Sequence, residues 1–251
     1  MTSLWSSQSL ATQEGPVKIR VLIDPGHGGE DDGAVKNGIK EKEITLKVAL
    51  ELKKLLAKDS RFTPLLTRDS DQFVTLGDRP LMAAKNKADI FISIHANSSN
   101  ITSARGTEIY FENQVPTDEE SLFLANRENN TKDDTPSGPQ GKNSDLANIL
   151  TDLAHNDHMV MSEKLSQLLL ESFQKEFDIK TRAIRQAPFK VLGVNIPATL
   201  IELGFITNDA EAKWLVQKDS QRRMARAIYK GLKAFKEKLD KVRLTTVNSS
   251  P

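Results

Sequence analysis

Two histidines and two glutamates of this sequence have the types and settings for metal-assisted hydrolysis: His27, Glu41, His95 and Glu202. His27 follows the apolar run that ends at Ile23, inside "IDPGHGGEDDGA". His95 closes "DIFISIH", Glu202 interrupts the apolar run "TLIELGF", and Glu41 opens an amphipathic stretch. Two histidines and one carboxylate are a common catalytic zinc set that leaves the fourth position for water. A general base must stand beside that water, and Glu202 is the choice for it. No H-E-x-x-H pattern is present, so the helical metalloprotease signature is absent.

Each residue also has an ordinary reading. His27 alone reads as a turn residue in a Gly-rich loop. His95 at a strand end is evenly balanced, because a buried histidine needs a partner anyway. Glu41 alone is a helix-start acid favoured by the helix dipole, and Glu43 competes with it two residues on. Glu202 is harder to dismiss, since an acid among apolar neighbours either faces solvent at an edge or does chemistry. Asp31 and Asp32 read as solvated loop acids. His155 and His158 in "HNDH" share a helix face but read as ordinary helix residues, because no apolar strand frames them.

The elements that must position these groups follow from periodicity. "VKIRVLI", "FTPLLTR", "ADIFISIHAN", "GTEIYF", "FKVLGV" and "ATLIELGF" read as strands, with Pro64 marking an edge. Residues 41–58, "TLGDRPLMAAKNK", about 145–177 (broken near "HNDH"), "DAEAKWLVQ" and "SQRRMARAIYKGLKAFKEKL" read as helices. Alternating strands and helices predict a single α/β domain: a mostly parallel or mixed twisted sheet of about six strands, with helices on both faces. Reactive groups in such folds collect beyond the carboxyl ends of strands. Adjacent parallel strands would therefore bring His27, His95 and Glu202 to one rim, with the loop 28–40 swinging Glu41 beside them.

Thr117 to Glu120 has the form of a capping box, which predicts a helix over "DEESLFLANREN". Residues 129–144 contain no aliphatic or aromatic side chain and read as a mobile linker. The expected organisation is a leader over 1–16, a catalytic domain over 17–238 with a regulatory insertion at about 115–155, and a flexible tail over 239–251. The first residues lack the basic and apolar regions of a signal peptide. The chain could thus be cytosolic or a mature domain cut from a precursor.

Composition excludes several classes. The 251 residues carry 35 basic and 34 acidic side chains, a formal net charge of +1, so no global field attracts nucleic acid. No cysteine is present, which removes disulfides, thiolate nucleophiles and Cys-ligated zinc together. No stretch approaches the ~20 apolar residues of a membrane span.

"VLIDPGHGGEDDGA", "KEKEITLKVALELKKLL", "ADIFISIHAN" and "PATLIELGFITNDAE" resemble the zinc-dependent N-acetylmuramoyl-L-alanine amidases of bacterial cell walls, over roughly residues 17–238. The resemblance implies one zinc ion per chain held by His27, Glu41 and His95, favouring Glu41 over Glu43, with Glu202 as the catalytic glutamate. It implies cleavage of the amide between N-acetylmuramic acid and the L-alanine of the peptidoglycan stem, by a periplasmic monomer. The insertion, with "SLFLANRENN", resembles the division-associated subgroup. There a helix blocks the cleft, an acid from it occupies the open zinc position, and a partner protein with a degenerate peptidase domain displaces it. Glu128 is the first candidate for that acid, with Glu120 and Glu119 behind. Two alternatives stand beside this reading. A carboxypeptidase-like zinc hydrolase would need an arginine in the cleft for a terminal carboxylate, from among Arg68, Arg79 and Arg105. A non-catalytic wall-binding module would have no use for all four chemical residues.

Overall fold

The structure, a computed structural model, describes residues 18–130, 145–177 and 183–248, with side chains described from 158 and up to 241 in the two long helices at those bounds. The leader over 1–16 and most of the linker over 129–144 lie outside the described residues. The chain runs β1 (Ile19–Pro25), β2 (Val35–Lys36), β3 (Ile39–Lys40), α1 (Glu41–Ala57), β4 (Phe62–Leu66), α2 (Asp78–Lys85), β5 (Ile90–Asn97) and β6 (Glu108–Glu112). It continues through α3 (Glu119–Asn129), α4 (Asp145–Phe177), β7 (Ile184–Ala187), β8 (Ala198–Phe205), α5 (Asp209–Leu215) and α6 (Lys218–Asn248).

Six strands form one sheet in the order β4-β1-β5-β8-β6-β7. Neighbours are parallel except β6 and β8, which are antiparallel. Pro64 lies on the edge strand β4, where its missing N–H removes no ladder bond from a central strand. β2 and β3 form a separate hairpin turned by Asn37 and Gly38, both with positive φ, the conformation a two-residue I′ turn needs.

Strand alternation sorts side chains into two cores. Ile19, Val21 and Ile23 of β1, Ile90, Ile92 and Ile94 of β5, and Ile201 and Leu203 of β8 face one layer. That layer holds α1 through Val48 and Leu52, α4 through Leu169 and Phe173, and α6 through Ile228 and Phe235. Leu22, Phe91, Tyr110 and Leu200 face the opposite layer, with Ala83 of α2, Leu124 and Ala125 of α3, and Val191 and Leu192. The same parity puts His95 with Phe91, and Glu202 with Leu200. Both chemical residues therefore project toward the layer of α2 and α3.

Several expectations are corrected. "FKVLGV" is a 3-10 turn at Lys190–Leu192 instead of a strand; the sixth strand is the short "IRQA" of β7. α4 is continuous through "HNDH", and His158 is partly buried in it. α6 extends to Asn248, so the predicted tail is helical for most of its length. The N-cap of α3 is Asp118, whose carboxylate accepts from Ser121 N, and Thr117 stands one residue outside. No helix is long and apolar enough to cross a membrane among the described residues.

The layer of α1, α4 and α6 is packed by the larger apolar cluster. Phe173 is fully buried in it. Phe173→Ala should cost about 3–5 kcal/mol, read as a lowered denaturation midpoint in urea without change in the spectrum of the folded state.

Candidate active site

β1, β5 and β8 stand side by side and parallel, so their carboxyl ends share one rim. His95 pairs in register with Glu202 across β5 and β8. The chain leaves β1 through Gly26, which passes beneath the His95 ring; a Cβ there would lie 2.4 Å from His95 Cε1. His27 follows with φ of +60°, a conformation uncommon outside glycine. The hairpin β2–β3 then carries the chain directly into Glu41, the first residue of α1.

Glu41 is buried and divides its oxygens. Oε1 lies 3.0 Å from His95 Nδ1 and accepts from Ala96 N at 2.9 Å. Oε2 lies 3.2 Å from His27 Nε2 and accepts from Ala34 N at 2.8 Å. Glu43 is exposed and pairs with Lys47. Gly33 makes room for this arrangement: a Cβ would stand 2.6 Å from His27 Cδ2 and 2.7 Å from Glu41 Oε2.

Glu128 arrives from above. α3 buries Ser121, Leu124, Ala125 and Glu128, spaced at i, i+3, i+4 and i+7 on one face. Glu128 Oε2 lies 3.4 Å from His27 Nε2 and 3.3 Å from His95 Nδ1. Its Oε1 accepts from Arg127 at 3.0 Å, and Arg127 also donates to Ser98 O and Oγ. Glu120, by contrast, is exposed on the far end of α3, 3.5 Å from Arg185. Glu119 is exposed in the first turn.

The donor set fits a metal ion. His27, His95 and Glu128 each offer a ligand atom, all within 4.8 Å of one another. Tetrahedral zinc with ligands at about 2.0–2.2 Å places them roughly 3.3–3.6 Å apart, and the 3.2–3.4 Å separations at His27 and Glu128 fit that edge. His27 Nε2 is buried and has no hydrogen-bond partner among the described residues. It faces the carboxylates at a distance without the alignment of a hydrogen bond, as a nitrogen directed at an ion would.

Electrostatics agree. Burial alone would depress His27, but the Glu41 carboxylate, with Asp31 and Glu128, overrides it and holds the ring well above its usual value. Burial pushes Glu202 well above the usual carboxyl range, and the carboxylates of Glu41 and Glu128 push it further. Glu202 is fully buried and neither oxygen has a hydrogen-bond partner among the described residues. An orphaned buried carboxyl costs stability, so its place here calls for a functional reason.

Asp31 corrects the reading of the loop acids. Its Oδ2 lies 2.8 Å from His27 Nδ1, and its Oδ1 accepts from Gly33 N at 3.0 Å. It is a carboxylate that sets the histidine's tautomer and aim. Asp32 pairs with the partly exposed Lys40 and the buried Lys42. Arg68 and Arg79 are buried and donate to backbone carbonyls, while Arg105 is exposed. Arg68 and Arg79 are thus already engaged in holding the backbone, although Arg79 also lines the pocket at His27 and His95. Clefts open on both flanks of α3. One is lined by His27, Asp31, Glu41 and Arg127, the other by Asn97, Tyr110, Phe123 and Phe205.

A strand-end cluster of histidines and carboxylates on an α/β sheet, able to hold a metal ion beside a buried glutamate, is the kind of site that hydrolases build. Comparison with known proteins narrows that class. Residues 21–234 match the N-acetylmuramoyl-L-alanine amidase family. The chain is 37% identical over 227 residues to the probable N-acetylmuramoyl-L-alanine amidase AmiB of Haemophilus influenzae, covering 86% of this chain and 52% of that protein. It is 32% identical over 237 residues to AmiA of Escherichia coli, covering 93% and 81%. Its fold is similar to that of AmiC2 of Nostoc punctiforme, with a TM-score of 0.66 and 28% identity, covering 88% and 98%. The chain spans about half the length of the Haemophilus relative. The chain belongs to the N-acetylmuramoyl-L-alanine amidase family, enzymes that hydrolyse an amide bond of cell-wall peptidoglycan.

Asp31→Ala should leave the fold intact and lower affinity for a divalent metal about 10- to 100-fold. Competition against a chromogenic chelator measures this, and an unchanged affinity would remove Asp31 from the site.

Proposed function

We propose that this chain uses one zinc ion, held by His27, Glu41 and His95, to cleave the amide between the lactyl group of N-acetylmuramic acid and L-alanine, and that α3 holds it inactive. The carrying observation is the meeting of Glu128 with His27 and His95 beside the unpartnered Glu202. When bound, zinc supplies Lewis acidity toward the carbonyl oxygen and brings the acidity of water toward neutral pH.

The side chains do the rest. Asp31 keeps Nδ1 of His27 engaged, so Nε2 points inward. Backbone N–H groups of Ala34 and Ala96 fix both oxygens of Glu41. Glu202 takes the proton of the attacking water and passes it to the departing alanine nitrogen. It is buried beside His95 on the neighbouring strand, so both transfers occur away from bulk solvent.

Glu128 fills the place that water and substrate must share. Its support is local: the N-cap at Asp118, a Thr117–Gln186 pair of bonds, Asn129 against Pro188 and Lys190, and Arg127 on Ser98. A helix held by so few, mostly polar, contacts can be lifted by a partner without unfolding the sheet. A protein with a degenerate peptidase domain, acting in the periplasm on a monomeric enzyme, fits that role.

Digestion of intact peptidoglycan followed by mass spectrometry tests the reaction: free stem peptides should appear with glycan strands left whole. Cleavage within the peptide instead would make the chain a peptidase. Glu202→Gln should retain stoichiometric zinc by elemental analysis and lose about 10²- to 10⁴-fold in turnover. Glu128→Ala should raise basal release of dye-labelled peptidoglycan about 10- to 100-fold, the worth of one charge-assisted contact. Basal activity equal to the unaltered chain would show that Glu128 does not hold it off.

A further inference from the structure

Glu128 has a counterpart at the other end of α3. Asp118 caps the helix with Oδ1, which accepts from Ser121 N and Oγ. Its Oδ2 is turned away, 2.5 Å from Arg185 Nη1, and Glu120 Oε2 lies 3.5 Å from Arg185 Nη2. Two carboxylates of the helix thus cover one guanidinium of β7. Arg185 is mostly buried, with 13% of its side chain exposed. Its Nε is buried and has no hydrogen-bond partner among the described residues.

Strand parity places Arg185 on the active-site face. It pairs in register with Tyr110, whose ring packs in the layer of α3. Two residues back along β6, Glu108 pairs with Glu202. Directly opposed residues on neighbouring strands project to the same face. Glu108 links Arg185 to the reaction centre: its Oε1 lies 3.7 Å from Arg185 Nε, and its Oε2 accepts from Asn97 Nδ2 at 3.1 Å. Asn97 lies two residues past His95 on β5. The guanidinium is therefore one carboxylate away from the strand end that carries the chemistry. With α3 lifted, it would line the cleft floored by Asn97 and Tyr110.

We propose that Arg185 is the anchor for a substrate carboxylate, the free α-carboxylate of the second residue of the peptide stem, and that Asp118 and Glu120 occupy that anchor while α3 is docked. This rests on the amidase reading of the site. The stem continues from L-alanine into a γ-linked glutamate, whose α-carboxylate follows the scissile nitrogen by one residue and a Cα. One extended residue spans about 3.5 Å, so that carboxylate lies roughly 7–8 Å from the scissile carbon. A guanidinium fork accepts a planar carboxylate in bidentate fashion. α3 thus imitates substrate at two points, Glu128 at the reacting centre and Asp118 at the anchor. Arg185 touches the substrate away from the reacting bond, so it sets specificity instead of the chemical step.

Direct binding tests this without turnover. The full chain and its Asp118→Asn, Glu120→Gln double variant are titrated with L-alanyl-γ-D-glutamate and with the same dipeptide amidated at the α-carboxyl. Loss of both carboxylates frees the N-terminal end of α3 from Arg185, so the guanidinium opens to solute in the double variant. The double variant should bind the carboxylate form at least about tenfold tighter than the amide form, and tighter than the unaltered chain does. Arg185→Gln added to that double variant should erase the preference, and Arg185→Lys should restore part of it. Equal binding of the two dipeptides by the double variant, or no binding of either at millimolar concentrations, overturns the anchor. Release of free stems from peptidoglycan with no preference between the dipeptides would leave the amidase reading standing and the anchor refuted.

Discussion

The buried ion pair between Asp24 and Arg79 sets the rim on which the site is built. Asp24 lies at the end of β1, fully buried, with Oδ1 accepting from Thr67 Oγ1 and Arg79 Nη1 and Oδ2 accepting from Ser93 Oγ. A buried charge is tolerable only when paired and fully hydrogen-bonded. Here burial alone would raise Asp24, yet Arg79 and the two hydroxyls hold it below the ordinary carboxylate range. One side chain thereby joins β1 to the end of β4, to β5 and to α2. The chain beyond it leaves the sheet, and its carbonyls lose their ladder partners. Arg79 and Arg68 supply replacements, donating to the carbonyls of Pro25, Gly26 and His27. His27 can hold a left-handed backbone there because both flanks of the turn are pinned.

From that rim the two layers divide the labour. One face of the sheet packs Ile, Val, Leu and Phe against three long helices. The other carries Ser93, His95, Glu202 and Glu108 between its apolar side chains, under shorter elements. Unpaired atoms among the buried side chains fall on that face: His27 Nε2, both oxygens of Glu202 and Arg185 Nε. Such groups are destabilising in a domain with no use for them. Their concentration on one face, against an opposite face packed mainly by apolar side chains, is the expected compromise between a stable scaffold and a reactive surface.

Much of this was legible in the sequence because it rests on strong periodic signals. β1, β5 and β8 are apolar runs with sharp ends, and their parallel pairing brings the expected residues His27, His95 and Glu202 to one rim. Glu128 was legible as a helix acid, and its inward face follows from Ser121, Leu124 and Ala125. Weaker features were not legible. β7 has four residues with a polar alternate face, and only pairing to β6 makes it a strand. "KVL" has strand-like composition, but Phe189 and Val194 close it into a turn through Leu192. Asp31 looked like any loop acid, because the fold back onto His27 depends on the Gly28–Asp31 bridge, a tertiary fact. The α3 cap moved by one residue because Thr117 instead bonds Gln186 of β7.

The proposed control by α3 has an energetic logic in its composition. Its buried apolar contribution is small, chiefly Leu124 and Ala125, while Phe123 and Leu122 on its outer face are exposed. Its specific hold comes from carboxylates placed on nitrogen: Glu128 against the two histidines and Asp118 on Arg185. Lifting it leaves His27 and His95 with Glu41, and Arg185 with Glu108, as remaining anionic partners, and this loss of two close carboxylates in a site partly shielded from water favours another ligand that brings negative charge. A substrate with a polarisable carbonyl and a neighbouring carboxylate supplies both. Release of the helix and binding of substrate are then linked, each making the other easier by the same factor. An activator that grips only the outer face of α3 need not supply the whole difference, because the substrate completes what the helix gives up.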